Sequence, residues 1–284
     1  MAFVKVSDVL KLADAAHTSA IAFNCVDFNT VHSVVSVAEE LNKPVIVMLY
    51  PGHCIDNHWS TPAAFAPMVA AEAARVNVPV ALHLDHCSDF SYIKSAIDAG
   101  FTSVMYDGSM LSVEENLKNT REVVDYAHAH GCEVEAELGC VGMAAGESDQ
   151  SNVDMYTRPE IAKYFCDGSG CDSVAVAIGS AHGYYTKTPK LDLGRLQEIN
   201  AAVDTPLVLH GGSGIPDDQL EKAFTMGINK FNVGTEFLGL YFKTVCKYVE
   251  QFKDDPKHII LDMAIPVQDA LMNYLRTKMQ LSRL

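Results

Sequence analysis

The sequence predicts one α/β domain closed as an eight-stranded (β/α)8, or TIM, barrel, and three observations carry that prediction. Eight short apolar runs alternate with longer amphipathic ones along the chain. Their starts recur at a mean spacing of roughly 30 residues, the length of one strand–helix unit. Eight such units in about 250 residues match a closed barrel better than an open doubly wound sheet. No Gly/Ser linker or charge block interrupts the 284 residues, so 1–284 reads as a single domain with extra terminal helices.

The eight runs are AIAFNCV (Ala20–Val26), PVIVMLY (Pro44–Tyr50), VPVALHLD (Val78–Asp85), SVMYDG (Ser103–Gly108), EVEAELG (Glu133–Gly139), SVAVAIG (Ser173–Gly179), PLVLHGG (Pro206–Gly212) and KFNVGTE (Lys230–Glu236). Most are rich in Val and Ile or nearly continuous in apolar residues, as strands buried on both faces of a parallel sheet should be. The segments between them carry helix punctuation. Asn29 stands before TVHSVVSVAEEL, and Thr61-Pro62 supplies a cap residue and a first-turn proline. Ser112–Glu115 and Thr157–Glu160 have the spacing of capping boxes, while Gly100 and Gly227 close helical runs just ahead of the next strand. Pro67, inside a helical pattern, predicts a kink. An extra helix near Val6–Ala16 and the tail Ile265–Leu284 are expected to cover the barrel's bottom or a neighbouring subunit. The longest irregular stretches, Pro51–Ser60, Cys140–Tyr156 and Ser180–Leu191, each follow a strand and so belong to the C-terminal rim, where barrel enzymes place their chemistry.

Composition narrows the function. Hydrophobic residues make up 49% and charged residues 20%, which excludes a disordered or fibrous chain. With 21 Lys+Arg against 36 Asp+Glu, the net charge of −15 disfavours nucleic acid and anionic membrane surfaces as partners. The eight cysteines form no Cys-x-x-Cys pair and read as buried thiols in a reducing compartment. No basic leader with an apolar core and no apolar run of about 18 residues stands out, so the expected location is the cytoplasm.

Three histidines sit where strands end: His86 in LHLDHC, His182 in IGSAHGYY and His210 in LHGGSG. Any one alone would read as a structural histidine. Three converging on one rim, beside Asp85, suit Zn²⁺ with a position open for water or substrate. His83 shares strand parity with Asp85 and should point into the barrel top. His128 and His130 read as surface residues, and His17, His32, His53, His58 and His258 have no partner visible from spacing. Gly211-Gly212-Ser213-Gly214 and Asn232-Val233-Gly234-Thr235 follow the seventh and eighth runs, the usual phosphate site of such a barrel, and Gly183 would close the cup from a third side. A metal beside a phosphate cup fits polarisation of a phosphorylated ketone.

Taken in order, HLDH, EAELG, AHG, LHGGSG and NVGTE resemble the class II, zinc-dependent ketose-bisphosphate aldolases, with the LHLDH and NVGTE forms and the compact length closest to the tagatose-bisphosphate branch. The resemblance implies one zinc ion per subunit held by His86, His182 and His210, with a monovalent cation as a further option beside the phosphate. It implies Asp85 as proton donor to the aldehyde oxygen, and dihydroxyacetone phosphate contacts from Gly183, Gly211–Ser213 and Asn232–Thr235. It further implies a homodimer or homotetramer acting on a small phosphorylated sugar, a ketose 1-phosphate or 1,6-bisphosphate of the tagatose or fructose type. Zinc would stabilise the enediolate of dihydroxyacetone phosphate, which adds to an aldehyde. Glu137 matches a family glutamate near the metal, as an alternate ligand or as a structural residue of its strand.

Two departures stand against the family pattern. Where the family reads Gly-Gly-x-Glu-Asp, this chain reads Gly142-Met-Ala-Ala-Gly-Glu147-Ser-Asp149, which makes Glu147 the expected enolising base and Asp149 its rival. Where the family offers a small hydroxyl after the second strand, this chain has Tyr50-Pro51-Gly52, and no second phosphate-binding arginine can be placed. The altered loop leaves open a catalytically lapsed sugar-phosphate-binding or stabilising subunit of an aldolase complex. The rim alone leaves open another zinc-dependent barrel lyase or hydrolase.

Overall fold

The computed structural model describes residues 3–139, 141 and 156–284. Eight parallel strands close on themselves: β1 (Ala20–Asn24), β2 (Val45–Leu49), β3 (Val80–Cys87), β4 (Ser103–Tyr106), β5 (Glu133–Leu138), β6 (Ser173–Val176), β7 (Leu207–Leu209) and β8 (Ile228–Val233). Each pairs with the next in sequence, and β8 closes the ring on β1 from Ala20↔Lys230 to Phe23↔Val233. The expected single-domain (β/α)8 barrel is what forms. Parallel neighbours require long crossovers, and helices provide them on the outside.

The strand period of two divides the barrel into an outer and an inner face. Outward residues such as Val47, Leu82, Leu84, Phe231 and Val233 join helix residues such as Val34, Phe65 and Ile93 in one continuous core. Inward residues Ala22, Ile46, Met48 and Ala81 pack instead against Val6, Val9, Leu10 and Ala13 of the helix Val6–Ala15, which plugs the strand-start end as expected of an N-terminal helix. Above that plug, the inward positions from β3 to β8 become polar: His83, Asp85, Ser103, Glu135, Glu137, Lys230 and Asn232 are all buried. Charge buried at this density needs partners, and it marks where the chemistry sits.

Local details depart from the sequence expectations in physical ways. The helix Phe28–Leu41 is capped by Asp27, whose carboxylate accepts from the Thr30 amide at 2.9 Å, and Asn29 lies inside the first turn. Thr157 makes no capping box: its hydroxyl donates to the Leu138 carbonyl and accepts from the Ala177 amide, tying β5 to the segment after β6. Ser112 and Thr61 cap as expected. Pro67 is held inside a continuous helix, Pro62–Ala73. The tail helix Ala264–Met279 buries Val267, Leu271 and Leu275 in the outer core, and Leu284 beyond it packs against the cluster at the strand-start end. Cys246 is exposed, while the other described cysteines are buried and free. No helix among the described residues is long and apolar enough to cross a membrane.

Candidate metal centre and its cavity

A cavity of about 560 Å³ opens at the C-terminal ends of the strands and is lined by all three strand-end histidines. Each histidine has one ring nitrogen committed to a partner. His86 Nδ1 lies 2.8 Å from Asp107 Oδ2, His182 Nδ1 lies 3.2 Å from the Val141 carbonyl, and His210 Nε2 lies 2.9 Å from Glu135 Oε1. A nitrogen that donates to an oxygen leaves the other ring nitrogen as a lone pair, which is how proteins fix imidazole ligands to metals. One ring nitrogen from each of the three residues lies within 4.8 Å of those of the other two.

The fit to a metal ion rests on what is left unpaired. His182 Nε2, His210 Nδ1 and Glu137 Oε2 are buried without hydrogen-bond partners, an expensive arrangement unless an ion takes their lone pairs. Glu137 Oε2 stands 3.3 Å from His210 Nδ1 and 3.7 Å from His86 Nδ1, within reach of the same centre. His86, Asp107 and Glu137 form a second group spaced for a metal. His86 takes a left-handed φ of +40° at an irregularity in the β3–β4 register between Leu84 and Cys87. Such backbone strain, roughly 1–3 kcal/mol, is characteristic of functional sites.

Electrostatics sort the remaining groups. Burial pulls the His210 imidazole down, but Glu135 and Glu137 outweigh it and push it up to about 10. Burial, with His86 and His210 nearby, lowers His182 to about 3. Burial acts to raise Asp85, yet His86, His210 and Lys230 hold it at about 2. The Asp85 carboxylate accepts from Asn24 Nδ2 at 2.8 Å and from Asn232 Nδ2 at 3.1 Å, which fixes it ionised at the cavity wall.

The phosphate-cup residues lie together on the β6–β8 side. Gly183, Gly211, Gly212, Ser213, Asn232, Gly234 and Thr235 all line the cavity. At Gly211, φ is +66° and a Cβ would stand 2.4 Å from the Ala181 carbonyl; at Gly212 it would enter the Phe231 ring. Only glycine lets this turn lie so close to its neighbours. Val233 does not line the cavity, because its side chain is buried in the outer core. Glu147 and its rival Asp149 lie outside the described residues.

The sequence reading did not single out Asn24, Asp107 or Glu135, each of which holds one of the named groups. Their signals were there: Asp107 ends its strand in MYDG, and Glu135 shares parity with Glu137 in EVEAELG. Asp107→Asn should weaken zinc affinity about 10–100-fold by removing the charge behind His86. Competition against a metallochromic chelator measures this, and unchanged affinity would show that Asp107 does not support the ligand.

The sequence model of a family described as fructose-bisphosphate aldolase class-II matches residues 4–283. Among solved structures, the chain is similar to the YdjI aldolase from Escherichia coli K12, at 33% identity and a TM-score of 0.85 over 98% of this chain and 97% of that one. It is similar in fold to fructose-bisphosphate aldolase from Campylobacter jejuni, at 22% identity and a TM-score of 0.82 over 98% and 95% of the two chains.

Proposed function

Since the chain belongs to the class II fructose-bisphosphate aldolase family, we propose that it is a metal-dependent aldehyde-lyase that reversibly cleaves a phosphorylated ketose to dihydroxyacetone phosphate and an aldehyde. The observation that supports this best is the set of three histidines that each bring a ring nitrogen within 4.8 Å of the others, beside an ionised aspartate and a glycine-built cup. His86, His182 and His210 would hold a zinc ion, which polarises a carbonyl and stabilises the charge that develops when an adjacent carbon loses a proton.

The remaining roles belong to the chain. Backbone N–H groups of Gly211–Ser213 and of the segment opening the helix Thr235–Phe252 receive the phosphate, with Gly183 and Asn232 completing the cup. Asp85, ionised at rest, accepts the proton of the C4 hydroxyl as the C3–C4 bond breaks and returns it to the aldehyde oxygen in condensation. Glu147 moves the C3 proton of dihydroxyacetone phosphate, with Asp149 as the alternative base.

Deuterium exchange into dihydroxyacetone phosphate, followed by NMR, tests the enolising half alone. Zinc-loaded enzyme should exchange one C3 hydrogen, and chelator or His86→Ala should stop it. No exchange with zinc and ligand both bound would remove the aldolase reading and leave a sugar-phosphate-binding protein.

A further inference from the structure

The cup occupies the arc from β6 to β8, so the part of the substrate beyond the metal faces the opposite arc, from β2 to β4. That wall is built from Tyr50, His53, Asp107, Ser109 and Met110. No lysine or arginine lines the cavity among the described residues, and residues 142–155 contain none in their sequence but do contain Glu147, Asp149 and Asp154. Arg276, one arginine the tail could have offered, is engaged by Glu40 at the surface.

A phosphate can also be held without cations, by free backbone N–H groups. On this arc most of those groups are already taken, the short helix Pro51–Ile55 excepted, which begins at Tyr50 without a side-chain cap. Asp89 accepts from the Ser91 and Tyr92 amides at the start of the helix after β3. Asp107 accepts from both the amide and hydroxyl of Ser109, and Ser112 caps the helix after β4, whose first turn carries Glu114 and Glu115. In the cup, the helix Thr235–Phe252 begins with no cap from its own N-cap residue, and of its first-turn amides Glu236 donates to Ser213 Oγ at 3.2 Å. One end of the cavity is built from glycine turns and a long helix's start, and the other from side chains that include a carboxylate, a phenol, an imidazole and a hydroxyl.

Resting on the aldolase reading, we infer that the substrate is a ketose monophosphate, phosphorylated only on the dihydroxyacetone half, and that the aldehyde released is an uncharged hydroxyaldehyde. A second phosphate would stand against Asp107 with no cation to offset the repulsion, whereas hydroxyl groups can both donate to that carboxylate and accept from the Tyr50 phenol or from the ring of His53, whose Nδ1 is buried and unpartnered.

The test uses the full-length zinc-loaded enzyme with dihydroxyacetone phosphate and paired aldehydes: glyceraldehyde against glyceraldehyde 3-phosphate, and glycolaldehyde against its phosphate. The neutral member of each pair should have a kcat/KM at least tenfold higher. Equal use, or preference for the phosphorylated member, overturns the inference. A binding arm reads the same question without turnover: hexitol 1-phosphate should raise the Tm more than the corresponding 1,6-bisphosphate, and the opposite order overturns it. Exchange of dihydroxyacetone phosphate in the same samples separates the two failures, because lost exchange sinks the aldolase reading and leaves the binding arm to judge the wall.

Discussion

Asp85→Asn is expected to lower kcat/KM for carbon–carbon cleavage by about 10²–10⁴-fold, the contribution of a positioned proton acceptor. The asparagine keeps the shape but loses the charge that takes the hydroxyl proton. The fold should tolerate the exchange. Asn232 Oδ1 is buried without a partner, so a rotation of that amide lets it accept from the new side-chain NH₂ in place of donating to the old carboxylate. The Tm should fall by only a few degrees, and zinc should remain bound by the unchanged histidines. Cleavage within threefold of the wild type, at full zinc occupancy, would remove Asp85 from the proton-transfer step.

The barrel and the ligand set were both legible in the sequence for the same reason. A buried parallel strand needs a near-continuous apolar run, and a rim residue sits at that run's end, so position along the run reports position in space. His86, His182 and His210 stood at three such ends. What holds them was harder to see, because a supporting residue is identified by what it touches across the barrel. Glu135 and His210 are 75 residues apart, and nothing in either local sequence names the other. Caps were misread for a related reason. Asn29 and Asp27 are both good cap residues, and only the backbone decides which one stands outside the first turn; Thr157 was drawn off by a carbonyl of β5 and an amide of the segment after β6. Tyr50 was visible as a bulky residue at a strand end, but the wall it shares with Asp107 and Ser109 is a property of two loops brought together.

The deepest part of the site makes the second large prediction. Lys230 is fully buried inside the barrel, and its ammonium donates to Glu135 Oε2 at 2.8 Å. Ser173 Oγ donates to the same oxygen from 3.3 Å, and the other oxygen of Glu135, Oε1, accepts from His210 Nε2. Burial acts to raise the Glu135 carboxyl, but Lys230 and then His83 and His210 hold it well below the ordinary range. Lys230 thus keeps charged the carboxylate that sets the tautomer of a metal ligand. Lys230→Met removes the cation and leaves the anion, a change that costs about 3–5 kcal/mol when a buried pair loses one member. For a chain of this size that corresponds to a Tm roughly 10 °C lower. Adding Glu135→Gln should restore part of the loss, since the amide oxygen still accepts from His210 without needing a countercharge; the double variant should therefore melt above Lys230→Met alone. This non-additivity distinguishes a charge network from simple packing, for which the two losses would sum. If Lys230→Met melts with the wild type, or if the two substitutions add, the ammonium is not what stabilises the carboxylate beneath the metal centre.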